Sequence, residues 1–167
     1  MLDPAADAAL LPGLAALLVE AVAGGASIGF MAGLAPAEAL AWWNARLAAA
    51  AVAEMTIVVA VDARGVAGTV SFVPAAMPNQ PHRADIAKMM VAKRAQRQGV
   101  GAALLAAVEA AARADGRSTL VLDTISGSAA ARLYARSGWE RVGEIPAYAL
   151  MPDGEMAPTT VFTKRLV

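Results

Sequence analysis

The chain opens with apolar positions at helical spacing. Leu10, Leu11, Leu14, Leu17, Leu18 and Val22 recur near every 3.6 residues and define one face of a helix. Gly24-Gly25 break it, and Ala26–Leu34 reads as a linker of unusual apolar content. Pro36 fits the first turn of a second helix running through Trp42, Trp43 and Leu47. After Ala53 the texture changes. Met55–Val61 and Val66–Val73, rich in Val and Ile and separated by Asp62-Ala63-Arg64-Gly65, predict a β-hairpin. Pro74–Pro81 holds three prolines and predicts a loop. His82–Val91 follows as a strand, then Val100–Ala114 as a helix with Leu104, Leu105 and Val108 as its buried stripe, stopped at Asp115-Gly116. Ser118–Thr124 predicts a short buried strand, Ser128–Ser137 a helix, and Gly138-Trp139 a turn. Arg141–Met151 and Thr159–Val167 are the last strands, joined through Pro152-Asp153-Gly154. Helices, a β-meander and then β-α-β-α-β-β spell an α/β fold with a mixed sheet and helices on both faces.

At 167 residues the chain suits one compact domain with a full core, and neither a repeat nor an interdomain linker divides it. Its hydrophobic fraction of 58% is inflated by alanine. The nearest approach to a membrane span, Ala5–Ala23, is interrupted by Asp7, Pro12, Gly13 and Glu20, so no membrane association is expected. No basic segment precedes an apolar core as in a signal peptide. Fourteen basic residues balance fourteen acidic ones, which argues against a nucleic-acid partner held by a broad electrostatic footprint. The absence of cysteine removes disulfides, thiolate zinc sites and a cysteine acyl-enzyme. A lone His82 cannot build a multi-histidine metal centre. The expectation is a cytoplasmic protein without a metal.

The most informative stretch is Arg94–Leu105. Gln96, Gly99 and Gly101 form a Q-x-x-G-x-G arrangement between the strand ending at Val91 and the Ala/Leu-rich helix. A strand that turns through glycines into a helix leaves backbone N–H groups free at the positive helix end, which suits a pyrophosphate. The spacing is neither that of the P-loop nor the longer G-x-G-x-x-G dinucleotide fingerprint.

Met89-Met90-Val91, this loop, Leu120–Asp123, and Ala131-Arg132-Leu133-Tyr134 ending at Gly138-Trp139 together resemble the core of the Gcn5-related N-acetyltransferase (GNAT) superfamily. Gly24-Gly25-Ala26-Ser27-Ile28-Gly29-Phe30-Met31, Leu122-Asp123-Thr124, Val142-Gly143-Glu144-Ile145-Pro146-x-Tyr148 and the ending Pro152-Asp153-Gly154 with Pro158-Thr159 are similar to the tabtoxin-resistance acetyltransferases. Those enzymes acetylate the amino group of a β-lactam amino-acid toxin. The resemblance implies a mostly antiparallel sheet with a splayed strand pair holding acetyl-CoA, direct acetyl transfer to the amine of a small molecule, and a homodimer as one oligomeric state. A peptide or protein amine is the second acceptor class, and a CoA-binding module without turnover the third reading. The family begins with a strand before its first helix, whereas here Met1 falls at Leu-Asp-Pro-Ala, where that strand should be finishing.

For the pyrophosphate, the loop Gln96, Arg97, Gln98, Gly99, Val100 and Gly101, with Ala102 and Ala103 at the helix start, is the implied donor set, and Arg94 and Arg97 are candidate phosphate cations. Main-chain N–H groups near Met90 and Val91 are the implied oxyanion donors. Tyr134 matches the family's tyrosine that faces the departing sulfur; an ordinary half-buried core tyrosine is the alternative. Asp123 closes its strand at the edge where α/β sheets bind ligands and is a candidate base or ammonium anchor. Its alternative is a turn aspartate, and Asp85 on the preceding strand competes for the base role. Ser27, Phe30, Trp43 and Tyr148 are candidates for the acceptor pocket.

Overall fold

The structure is a computed structural model and describes residues 1–166. A short 3-10 turn leads into helix α1 (Leu11–Ala23), which buries Leu11, Leu14, Leu17, Leu18 and Val22. Helix α2 (Pro36–Ala51) starts at its proline, and the Glu38 carboxylate turns back to accept from the Ala35 N–H at 3.0 Å. That contact satisfies a donor the helix start would otherwise leave open.

Six strands form one sheet: β1 (Thr56–Asp62), β2 (Gly65–Pro74), β3 (Arg83–Val91), β4 (Thr119–Ile125), β5 (Glu140–Leu150) and β6 (Met156–Arg165), in the order β1-β2-β3-β4-β6-β5. Every neighbouring pair is antiparallel except β3 and β4. Helix α3 (Val100–Ala114) makes the crossover between that parallel pair, and α4 (Ala129–Arg136) follows β4. The Ser128 side chain caps α4 by accepting from the Ala131 N–H at 3.0 Å.

The period-2 alternation of the strands sends side chains into two cores. On one face Val58, Val70, Phe72, Ala84, Ile86, Leu120, Leu122 and Phe162 pack with Leu104, Leu105 and Val108 of α3 and Tyr134 of α4. On the other, Ile57, Ala67 and Met90 pack with the apolar faces of α1 and α2, including Trp43. Helices therefore cover both faces, as the sequence pattern predicts.

The elements differ from the sequence reading mainly at their ends. The last strand begins at Met156, three residues early, because the turn closes tightly, with Gly154 N–H on the Met151 carbonyl and Met151 N–H on the Glu155 carbonyl. Val167, placed in that strand by the sequence pattern, lies outside the described residues. Leu10 belongs to the 3-10 turn and is half-buried rather than part of the α1 stripe. No strand precedes α1 among the described residues, although the Leu2 N–H donates to the Ile57 carbonyl at 2.8 Å along the β1 edge.

Candidate active site

The parallel pairing of β3 with β4 is confined to Arg83, Ala84 and Asp85 opposite Thr119, Leu120 and Val121. Beyond Asp85 the two strands part, while β4 stays bonded to β6 along its whole length and β3 to β2. A cavity of about 460 Å³ occupies the opening. Ile86–Met89 of β3, Asp123–Ile125 of β4, Tyr134 of α4, the Gly25–Gly29 segment and Tyr148 of β5 line it. The break in pairing also frees main chain. Ala92 N–H donates to the Ala67 carbonyl, so ladder alternation turns the N–H of Val91 away from β2, toward the side that β4 has left.

Tyr134 is 4% exposed, with its ring 5.9 Å from those of Trp139 and Phe162. The residue lines the cavity, and its hydroxyl has no hydrogen-bond partner among the described residues. Burial, reinforced by the negative charge of Asp123, pushes the phenol up to about 12, so it keeps its proton at neutral pH. Asp123 faces the same cavity. One of its carboxylate oxygens accepts from the Thr159 hydroxyl at 2.9 Å, and the other takes no hydrogen bond among the described residues. Asp85 sits in the closed part of the strand pair, outside the cavity, and its carboxylate is ion-paired with Arg83. The competition between the two aspartates is thus one of register: only Asp123 lies past the point where the strands separate.

The glycine loop follows β3 through a 3-10 turn over Lys93–Ala95. Gly99 is the residue before α3 and has φ +82°, a left-handed conformation that an L side chain resists. Among the described residues no side chain caps α3, and Ala103 N–H already donates to the Gly99 carbonyl. The N–H groups of Val100, Gly101 and Ala102 therefore carry the unpaired positive end of the helix, and Ala103 does not. Gly101 has a different reason from Gly99. A Cβ there would stand 3.1 Å from the Leu133 side chain, so its glycine lets α3 approach α4 closely. Gln96 and Gln98 brace the loop by donating to the Val91 and Arg94 carbonyls at 3.1 and 2.8 Å. Arg94 is spent on the β1–β2 hairpin, ion-paired with Asp62 and donating to the Val66 carbonyl at 2.9 Å. That pairing holds the Asp62 carboxyl below its usual range. Arg97 is exposed and in no ion pair among the described residues, which leaves it as the loop's available cation.

A family model described as an acetyltransferase (GNAT) domain matches residues 53–141, from β1 through α4. The chain belongs to the GNAT family. Solved structures share this fold over nearly the whole chain. The ribosomal-protein-alanine N-acetyltransferase of Brucella melitensis is 24% identical, with a TM-score of 0.80 over 96% of this chain and 97% of its own. The protein yncA of Salmonella typhimurium, assigned as an acetyltransferase and determined with its cofactor acetyl-CoA, is 23% identical, with a TM-score of 0.79 over 97% and 91%. A structure assigned as a phosphinothricin N-acetyltransferase is 20% identical, with a TM-score of 0.77 over 94% and 93%.

Within this GNAT domain the strand alternation separates the neighbours Met89 and Met90. Met89 points into the opening and reaches toward Gly101, whereas Met90 is buried on the opposite face against α1 and α2. Of the acceptor-pocket candidates, Ser27 and Tyr148 line the cavity, Phe30 stacks edge-on against Trp42, and Trp43 is core at 1% exposed. Two residues at the site escape sequence reasoning. Thr159 reaches Asp123 across the β4–β6 ladder. Lys88 enters the cavity from a β-bulge in β3, where its φ of +55° breaks the strand alternation. Its one sequence signal is a lone charge inside the apolar run Ile86–Val91.

Proposed function

We infer that this GNAT domain transfers an acetyl group from acetyl-CoA to the amino nitrogen of a small molecule, of the amino-acid-like toxin or antibiotic kind. The observation that carries the small-molecule reading is the bonding of two walls to each other at the acceptor end of the cavity. Ser27 donates to the Leu150 carbonyl at 3.2 Å and Ala32 N–H to the Pro152 carbonyl at 2.9 Å. These bonds tie the segment after α1 to the β5–β6 hairpin, which joins two walls of the cavity and narrows the room for a polypeptide. The volume of about 460 Å³ is in the range of small-molecule sites.

Acetyl-CoA would supply an activated thioester, and its reaction with an amine forms a C–N bond, breaks the C–S bond and leaves CoA as the thiol. The uncapped start of α3 and Arg97 fit the pyrophosphate, and Val91 N–H fits the thioester oxygen. Tyr134 holds its proton at neutral pH and faces the cavity, so it is the donor for the leaving sulfur. Asp123 has a free carboxylate oxygen with which to hold the acceptor ammonium and take up its proton.

A screen of amines and short peptides against acetyl-CoA, read by release of the CoA thiol, tests this assignment. Acetylation of small amines supports it. Turnover of peptides alone would replace the acceptor class.

A further inference from the structure

Among the residues that line the cavity, only Lys88 and Asp123 carry charge. They stand on the two strands that separate, Lys88 on β3 and Asp123 on β4, and neither is in an ion pair among the described residues. Behind Lys88 lies a second cation, Arg46 of α2. Its guanidinium sits 5.2 Å from the centre of the Trp42 ring, and its buried Nε has no hydrogen-bond partner among the described residues. The Lys88 ammonium is 5.6 Å from that same ring and 5.8 Å from Phe30, so the two cations share one aromatic wall. Elsewhere half-buried cations meet carboxylates: Arg83 with Asp85, Arg94 with Asp62, Arg117 with Asp115 and Lys164 with Glu109. Burial and Arg46 push the Lys88 ammonium below its ordinary range, while Asp123 acts in the opposite sense. A pair of partly desolvated cations with no carboxylate in ion-pair contact among the described residues is an unfavourable arrangement that an incoming anion relieves.

Lys88 is also built into place. β2 advances two residues from Thr69 to Ser71 while β3 spans Ala87 to Met90, and Lys88 takes up the extra length at positive φ. Such backbone strain in a non-glycine residue persists where the surroundings hold it. The ammonium gives one hydrogen bond to the Ile28 carbonyl at 2.7 Å. It has three donors, so two remain for a ligand.

We propose that Lys88 anchors an anionic group of the acceptor, so that the enzyme selects amines bearing a carboxylate or similar small anion over simple amines. This rests on the acetyl-transfer reading of the same cavity. The acceptor then lies across the opening, its ammonium toward Asp123 and Tyr134 and its anion toward Lys88. A zwitterion of the α-amino-acid type matches that polarity, and the neutral or cationic derivative of the same amine does not.

The test uses the full chain with acetyl-CoA and two acceptor pools, the common amino acids and their carboxamides, followed by kinetics on the best matched pair. Wild type is expected to prefer the acid by about 10- to 100-fold in kcat/KM, the worth of a charge-assisted hydrogen bond. Lys88→Met should abolish that ratio mainly through KM, and Lys88→Arg should retain most of it. If Lys88 merely latched the Ile28 loop, Lys88→Met would lower the unfolding midpoint and leave the acid-to-amide ratio intact, which overturns the proposal. So does equal use of the two pools by wild type, or turnover of neither. Acetylation of simple amines in that last case leaves the transferase reading standing, whereas failure to bind acetyl-CoA at all removes both.

Discussion

Replacing Tyr134 with Phe separates chemistry from packing more cleanly than any other change at this site. The ring contacts with Trp139 and Phe162 survive, because Phe fills the same space. The hydroxyl removed has no hydrogen-bond partner among the described residues, so none is lost. A typical net hydrogen bond is worth about 1 kcal/mol, and the unfolding free energy should therefore change by less than about 1 kcal/mol. Activity should respond very differently. A positioned proton donor contributes about 10²–10⁴ in rate, equivalent to about 2.7–5.4 kcal/mol of transition-state stabilisation. The assay pairs initial rates of CoA thiol release with denaturant unfolding of the same samples. A large fall in kcat with unchanged stability is the expected outcome. Turnover within about threefold of wild type would refute proton donation by Tyr134.

The tyrosine also leaves a pH signature. Its folded-state value near 12 lies above the unfolded value of 10, so between these limits the unfolded chain releases a proton that the folded chain keeps. Stability should be unaffected below pH 10 and fall by up to about 2–3 kcal/mol as pH rises through that window. The fall should be missing in Tyr134→Phe, and tyrosinate absorbance should show the same late titration, since the chain has only two tyrosines. Asp123→Asn should lower kcat/KM by about 100-fold or more. Asp85→Asn should keep most of the activity, because its carboxylate faces Arg83 and not the cavity. Glu109 accepts from the Trp139 indole at 2.8 Å and pairs with Lys164 at 2.7 Å, joining α3, the end of α4 and β6. Glu109→Ala should cost about 1–3 kcal/mol in denaturant unfolding, by leaving the Trp139 indole unpaired and the Lys164 ammonium with the Ser137 carbonyl alone.

The order of elements was readable because the chain changes period where the fold changes element. The α1 leucines and the Leu104–Leu105–Val108 stripe carry helical spacing, and the Val-rich runs around Asp62–Gly65 carry strand chemistry and a turn. The glycine loop was readable because backbone geometry demands its residues, although Gly101 answers to Leu133 and not to open space. What stayed hidden depends on register and long-range partners. Asp85 and Asp123 look alike in sequence, and only the parting of β3 from β4 after Asp85 puts one of them at the cavity. Arg94 reads as a phosphate cation until Asp62, 32 residues away, is seen to hold it. No local pattern announces the bulge that turns Lys88 toward the cavity.

The central claim is that the uncapped start of α3 holds acetyl-CoA beside the opening between β3 and β4. Calorimetric titration of acetyl-CoA into wild type and Gly99→Asp tests it most directly. An aspartate at this position brings a negative charge to the helix start, which repels phosphate, and strains the left-handed backbone that Gly99 holds. The account predicts saturable one-to-one binding to wild type and its loss in the variant. Absence of binding to folded wild type, or undiminished binding to Gly99→Asp, would contradict it.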